Sequence, residues 1–112
     1  MFPTPKANLQ YGIERMVITV EILKVSSQSQ PNKVAGAIAG ILREQEKVEL
    51  QAMGAGAANQ ALKSIAIARN YLIPSGIDIL CAPSFFLVEL NGEEKTAIKI
   101  IAQRCAVLTE SE

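Results

Sequence analysis

Two long segments rich in β-branched and aromatic residues flank the dipeptide Asn91-Gly92. Residues 77–90 and 94–104 have the composition of β-strands, and the second alternates apolar and polar side chains. Asn-Gly favours a two-residue turn because both residues adopt positive φ readily, which matches the twist of paired strands. The sequence therefore predicts a long antiparallel hairpin, and Pro83 predicts a bulge or an edge position within its first strand.

Two β-α units precede this hairpin. Residues 17–25 and 48–53 read as strands, and residues 33–46 and 58–73 carry apolar side chains at helical spacing. Two crossover helices followed by a hairpin predict the order β-α-β-α-β-β. The expected fold class is a two-layer α/β (α+β) fold, with a mixed four-stranded sheet and both helices on one face.

Three details of the helices carry expectations of their own. Asn32 is a candidate N-cap of the first helix, and Leu62 is expected on the buried face of the second. Gly36 and Gly40 are spaced four apart in the first helix. Glycine weakens a helix by roughly 1 kcal/mol relative to alanine, so this pair suggests the close approach of another backbone, from the sheet or a second subunit.

The length of 112 residues fits one domain. We expect a flexible leader at residues 1–16, the folded domain at 17–105 and a flexible tail at 106–112. No apolar run is long enough for a transmembrane helix, and the amino terminus has no secretory signal pattern. The two cysteines, Cys81 and Cys105, do not make a disulfide framework. These features predict a soluble, cytoplasmic protein with reduced thiols.

Composition argues against catalysis. The chain has no histidine, a single aspartate and no cluster of carboxylates, whereas general acid–base chemistry needs a titrating group held in a pocket. Two thiols without histidine do not make a standard zinc site. We expect a protein that is not an enzyme and that uses neither a cofactor nor a metal.

Three motifs resemble the stage V sporulation protein S family. They are SxPNxVAG at residues 29–36, GAGAANQA at 54–61 and NGEEKTAIK at 91–99. The resemblance runs from about Val20 to Ile101. That family is similar to Alba proteins, which share the β-α-β-α-β-β order and bind DNA and RNA as dimers. The resemblance therefore implies an Alba-like fold, a homodimer that binds DNA or RNA, and a regulatory role in sporulation or development.

The chain departs from the Alba pattern at its cationic positions. Alba proteins typically carry a lysine pair before the proline of the first loop, where this chain has Ser29 and Gln30. The turn at 54–57 has no charge, and the formal net charge of the whole chain is zero. Because phosphate contacts supply most of the affinity of such proteins, we expect weak binding with low specificity and a mild salt dependence.

Candidate nucleic-acid-binding residues lie at the two strand-to-helix junctions. Such loops leave the same end of adjacent strands in a β-α-β unit, so they could form one surface. Polar side chains and the free amides of a helix N-terminus suit phosphate or sugar. The candidates are Ser29, Gln30, Asn32, Lys33, Gly54, Gly56, Asn59, Gln60 and Lys63.

Other interpretations stay open at this stage. The glycines of residues 54–57 also suit a sharp turn that packs against a helix, and polar loops are ordinary at strand-to-helix junctions. One alternative function is a protein-interaction module on an Alba-like scaffold that has lost nucleic-acid binding. Another is a small-anion or nucleotide sensor at residues 54–57. Lys95 and Lys99 of the hairpin could reach nucleic acid, but Glu93 and Glu94 oppose this and favour an ordinary charged turn.

Overall fold

The structure is a computed structural model, which describes residues 20–107. The predicted leader, the first three residues of the predicted strand at 17–25, and residues 108–112 lie outside the described residues. The elements in chain order are β1 (Glu21–Val25), α1 (Pro31–Glu44), β2 (Lys47–Ala52), α2 (Ala55–Leu72), a 3-10 turn (Ile73–Ser75), β3 (Ile77–Leu90) and β4 (Glu93–Ala106). The predicted order β-α-β-α-β-β is confirmed.

The four strands form one mixed sheet in the order β1-β2-β4-β3. β1 runs parallel to β2, and β4 pairs antiparallel with both β2 and β3. β3 is an edge strand, which suits Pro83 because its missing N–H costs no ladder hydrogen bond at the outer side. The carboxyl ends of β1 and β2 therefore lie side by side, and each leads directly into a helix.

The core lies between one face of the sheet and the two helices. Val48 and Leu50 of β2 are fully buried and stand opposite Ala102 and Ile100 of β4. Ile38 and Leu42 of α1 and Leu72 of α2 join the same cluster. Both helices thus cover one face of the sheet, as predicted, and the other face carries no helix among residues 20–107.

The start of α1 differs from the prediction. The helix begins at Pro31, and its N-cap is Gln30, whose backbone carbonyl accepts hydrogen bonds from the N–H groups of Lys33 and Val34. Asn32 is therefore the second residue of the helix and not its cap. Proline is favoured at the first helical position because the N–H that it lacks has no partner there.

The prediction that Leu62 lies on the buried face of α2 is wrong. Leu62 is 59 % exposed. The face toward the core consists mostly of small residues, with Ala57, Ala61, Ser64 and Ala68 buried beside two larger side chains, Ile65 and Leu72. α1 packs alongside α2, so small side chains let the two helices approach closely. Hydrophobic spacing alone predicts that Leu62 is buried, because the spacing does not record how closely the two helices pack.

Gly36 and Gly40 meet no neighbouring backbone within the described chain. A Cβ added at either position would have no atom within 4 Å, and both glycines are exposed. The expected close approach of the sheet is therefore wrong for these residues.

The hairpin extends beyond the rest of the sheet. Asn91 and Gly92 form its turn with φ values of 51° and 79°, as the Asn-Gly signal predicts. The last β2–β4 pair joins Ala52 to Ile98, so residues 86–97 form a two-stranded projection, the hairpin arm. Phe85 and Leu87, at the base of this arm, are 76 % and 64 % exposed.

The two cysteines occupy different levels of the hairpin. Cys81 stands opposite Ala102, and Cys105 stands opposite Asp78. Both thiols are free.

No helix within residues 20–107 is long and apolar enough to cross a membrane.

Candidate nucleic-acid interface

The two strand-to-helix loops touch. The side-chain amide Nε2 of Gln60, in the second turn of α2, donates a hydrogen bond to the backbone carbonyl of Ser29 at 2.8 Å. The parallel pairing of β1 and β2 brings the loops to one edge of the sheet, and this bond joins them. We call the exposed part of residues 26–33 and 53–63 the two-loop surface.

The first loop is held by its own serines. Ser29 Oγ accepts a hydrogen bond from the N–H of Ser26 at 2.9 Å, and Ser26 Oγ accepts one from the N–H of Gln28 at 3.0 Å. The backbone N–H of Ser29 also donates to the carbonyl of Ser26. Such side-chain-to-backbone bonds fix a turn locally. The loop therefore has a defined shape before any ligand arrives.

The second junction turns sharply at Gly54. This residue has φ 95° and ψ 158°, a conformation that essentially only glycine adopts. α2 begins at the next residue, so Ala55, Gly56 and Ala57 belong to the helix rather than to a four-residue turn. The first N–H groups of a helix have no intrahelical acceptor, and Gly54 offers no side chain to accept them.

Gly56 is favoured by closeness rather than by backbone conformation. A Cβ added to it would lie 3.0 Å from Cβ of Ser27. The first loop therefore packs directly against the first turn of α2. This contact keeps the amino ends of α1 and α2 at the same edge of the sheet.

The charges of this surface are all positive. Residues 22–43 and 50–77 contain no Asp or Glu, whereas Lys24, Lys33 and Lys63 lie within them and are exposed. Neither helix has an acidic residue in its first turn or a side-chain cap. The zero net charge of the chain therefore hides a separation of charge, because the carboxylates lie elsewhere. Two acid-free segments were readable in the sequence, and a count of total charge missed them.

The nine predicted residues divide into two groups. Ser29 and Gln60 are half-buried, and their side chains are used in hydrogen bonds that shape and join the loops. The other seven are exposed. Lys63 lies in the middle of α2, and the rest lie around the two helix N-termini: Gln30, Asn32, Lys33, Gly54, Gly56 and Asn59.

A pocket next to the two-loop surface was not predicted from the sequence. It has a volume of about 280 Å³ and lies between the ends of β1 and β2 and the hairpin arm. Lys24, Gln51, Met53 and Phe86 are among its lining residues. Strand alternation could have placed these side chains on one face, but only the sheet order shows that the arm lies beside β2. Among residues 20–107, no three His, Cys, Asp or Glu side chains are grouped so as to hold a metal ion.

The fold is similar to that of a known structure. Alba from Thermoplasma volcanium superposes with a TM-score of 0.54 at 14 % sequence identity, over 75 % of this chain and 98 % of that one. At this identity the likeness establishes the fold alone. The Alba-like α+β fold predicted from the sequence is confirmed.

The family is established by a separate comparison. The model of the family described as Stage V sporulation protein S matches residues 21–104, which is nearly all of the part that the structure describes. The matched segment contains both loops, the two helix N-termini and the hairpin as far as Arg104. The chain belongs to the stage V sporulation protein S family.

Proposed function

We propose that this protein is a non-enzymatic regulator that binds nucleic acid as a homodimer, in the cytoplasm and in the developmental setting that its family name indicates. The observation that carries the proposal is the meeting of two uncapped helix N-termini on one acid-free surface. Family membership and the Alba-like scaffold support it, since Alba proteins bind DNA and RNA.

Phosphate is the ligand that this surface suits best. An anion at a helix N-terminus gains about 0.3–1 kcal/mol from the dipole at an exposed site, and the free amides add directed hydrogen bonds. Lys33 and Lys63 extend from the first turns of α1 and the middle of α2 and can pair with neighbouring phosphates. Asn32 and Asn59 add neutral donors, which contact the backbone without reading sequence.

The weak salt dependence expected from the sequence follows from the small number of lysines at this surface. Affinity for duplex DNA falls with salt at a logarithmic slope of about −0.9 per neutralised phosphate. Two or three lysines in each subunit therefore give a shallow slope. Strong binding would require both subunits to contact the same molecule.

Replacing Lys33 and Lys63 together tests the placement of the surface. We expect Lys33→Ala/Lys63→Ala to weaken binding of labelled single-stranded RNA and duplex DNA about tenfold or more at low salt, because each phosphate contact carries part of the affinity. Fluorescence anisotropy in a salt series measures this effect. The matched control is Arg43→Ala/Lys47→Ala, which removes two exposed cations at the opposite end of α1 and the start of β2.

Either of two outcomes would count against this placement. If wild-type protein shows no saturable binding at low salt, the proposed function itself is contradicted. Equal losses in the two double variants would mean that binding follows total charge and not the two-loop surface.

The hairpin provides a surface for a second copy of the chain. Phe85 and Leu87 project from the same face of β3 and are largely exposed. Exposed apolar patches of this kind mark interaction surfaces. A dimer through this face would leave the two-loop surface of each subunit open to a ligand.

A charged substitution tests this dimer. We expect Leu87→Lys to lower the association constant of the dimer at least tenfold, since a buried unpaired charge is costly. Sedimentation equilibrium measures the association constant. Leu62→Lys is the control, because Leu62 is similarly exposed but lies on α2. A dimer that survives Leu87→Lys and is lost in Leu62→Lys would place the interface on the helical layer.

A protein-interaction module remains the second candidate. The same exposed hairpin residues and the balanced total charge favour it. It predicts no nucleic-acid binding at any salt concentration and a loss of partner binding in Leu87→Lys.

A further inference from the structure

The open face of the sheet carries a row of polar side chains near its loop end. Lys24 of β1 stands opposite Gln51 of β2, and Gln51 stands opposite Lys99 of β4. Directly opposed residues lie on the same face, and neighbouring strands are about 4.8 Å apart. The two lysines therefore flank Gln51 on a face that no helix covers among the described residues.

An apolar pocket adjoins this row. The pocket of about 280 Å³ is lined by Lys24 and Gln51 on one side and by Phe86, Val88 and Leu90 of the hairpin arm on the other, with Val25, Ala52, Met53 and Ala97 completing its wall. Its surface is mainly carbon, and none of its lining residues is acidic. It thus joins an aromatic ring and an apolar floor to one cation, Lys24, and Lys99 lies in the adjoining polar row.

Two carboxylates, Glu49 and Glu93, share this face with the pocket. Glu93 stands opposite Leu90 at the tip of the hairpin arm and pairs with Lys95 at 3.5 Å. Glu49 lies one side-chain position further down β2, opposite Ile22 and Ile101, and so away from the arm. Its Oε2 accepts a hydrogen bond from Gln51 Nε2 at 2.7 Å. This bond uses the amide nitrogen of Gln51, which is itself one of the residues that line the pocket.

The pocket is continuous with the two-loop surface. Val25 and Met53, which line it, immediately precede Ser26 and Gly54. A chain of phosphates that crosses the two helix N-termini would therefore pass the rim of the pocket. The space between sheet and arm suits a flat, apolar group attached to such a chain.

We propose that this pocket binds one unpaired nucleobase of a single-stranded nucleic acid, stacked on Phe86, with Lys24 and Lys99 holding the adjacent phosphates. The inference rests on the proposed function and narrows its substrate class. Aromatic side chains within a cationic groove are the usual platform for single strands, because every base has a π-face. A base in an intact duplex is stacked on its neighbours and cannot enter. The protein therefore prefers single strands to duplexes.

Substitutions at Phe86 test the stacking. Phe86→Leu keeps an apolar side chain but removes the ring, whereas Phe86→Tyr keeps the ring. We expect Phe86→Leu to weaken binding of a 12-nucleotide single-stranded oligoadenylate about fivefold or more, with Phe86→Tyr close to wild type. Binding of a duplex of the same length should change less than twofold in both variants. Leu80→Ala, an exposed position on the same strand outside the pocket, is the control.

A fluorescence measurement gives a readout that a merely structural role would not produce. The chain contains no tryptophan, so Phe86→Trp introduces a single indole. We expect oligoadenylate to quench its emission saturably, because a stacked base contacts the ring. Lys24→Gln/Lys99→Gln should shift this titration to higher oligonucleotide concentration and flatten its salt dependence.

The outcomes separate the two proposals. If wild-type protein binds oligoadenylate but Phe86→Leu binds equally well, or the indole is not quenched, the pocket is not a base site and the two-loop surface still stands. Equal losses for duplex and single strand in Phe86→Leu would also overturn the stacking. If neither probe binds wild-type protein, the proposed function fails as well.

Discussion

Replacement of Arg69 by glutamine is expected to lower the free energy of unfolding by about 2–4 kcal/mol, because it leaves a buried carboxylate without its cationic partner. Asp78 is completely buried, and Arg69 Nη2 donates to its Oδ2 at 2.9 Å while Arg69 Nε bonds its other oxygen. The Arg69 side chain is 43 % exposed, so water relieves part of the cost, and the expected loss is set about 1 kcal/mol below the roughly 3–5 kcal/mol of fully buried pairs. Urea denaturation measures the change.

The double variant Arg69→Gln/Asp78→Asn separates the lost charge from lost packing. It should recover a large part of the stability, because neither residue is then charged. Arg43→Gln, at an exposed position, should stay within about 0.5 kcal/mol of wild type. A double variant no more stable than Arg69→Gln would show that packing, and not charge compensation, holds the amino end of β3 to α2.

Substitution of Gly54 by alanine is the second large effect, with an expected loss of about 1–3 kcal/mol. The residue needs φ 95° with ψ 158°, and a Cβ makes that conformation strained even though the space around it is open. Strain here would also shift the start of α2 and weaken its contact with the first loop. Binding of nucleic acid should then fall together with stability.

Substitution of Gly40 by alanine should instead raise the free energy of unfolding. Gly40 is in the interior of α1, is exposed and has free space for a Cβ. Alanine is favoured over glycine there by up to about 1 kcal/mol. Thermal unfolding of both variants gives the comparison. Destabilisation by Gly40→Ala that depends on protein concentration would instead show that a second subunit packs on this glycine.

Much of the fold was predictable because its signals are local. The strand composition of residues 77–90 and 94–104 and the Asn91-Gly92 turn predict the hairpin, which the structure contains. The residues of the two-loop surface were also predictable, since they follow strands that a β-α-β unit places side by side. Their proximity is now seen in the bond between Gln60 and Ser29.

The wrong or missing predictions concern residues whose surroundings are formed by a distant part of the chain. Leu62 points to solvent because α1 needs small residues on the opposite side of α2, and no pattern within α2 records that need. The role of Gly56 depends on Ser27 in another loop. The pocket beside Phe86 depends on the sheet order, which places the arm next to β2. Such contacts join distant parts of the chain, so a single sequence carries only a weak signal of them.

Amide chemical-shift mapping is the most direct test of whether the two helix N-termini bind nucleic acid. Unlabelled single-stranded RNA would be titrated into ¹⁵N-labelled protein at low salt. We predict saturable shifts concentrated at the amides of Asn32, Lys33, Ala55, Gly56 and Ala57. The amides of Gly36 and Gly40, which lie further along α1, should change little. The absence of shifts, or shifts confined to residues outside the two-loop surface and the adjoining pocket, would contradict this prediction.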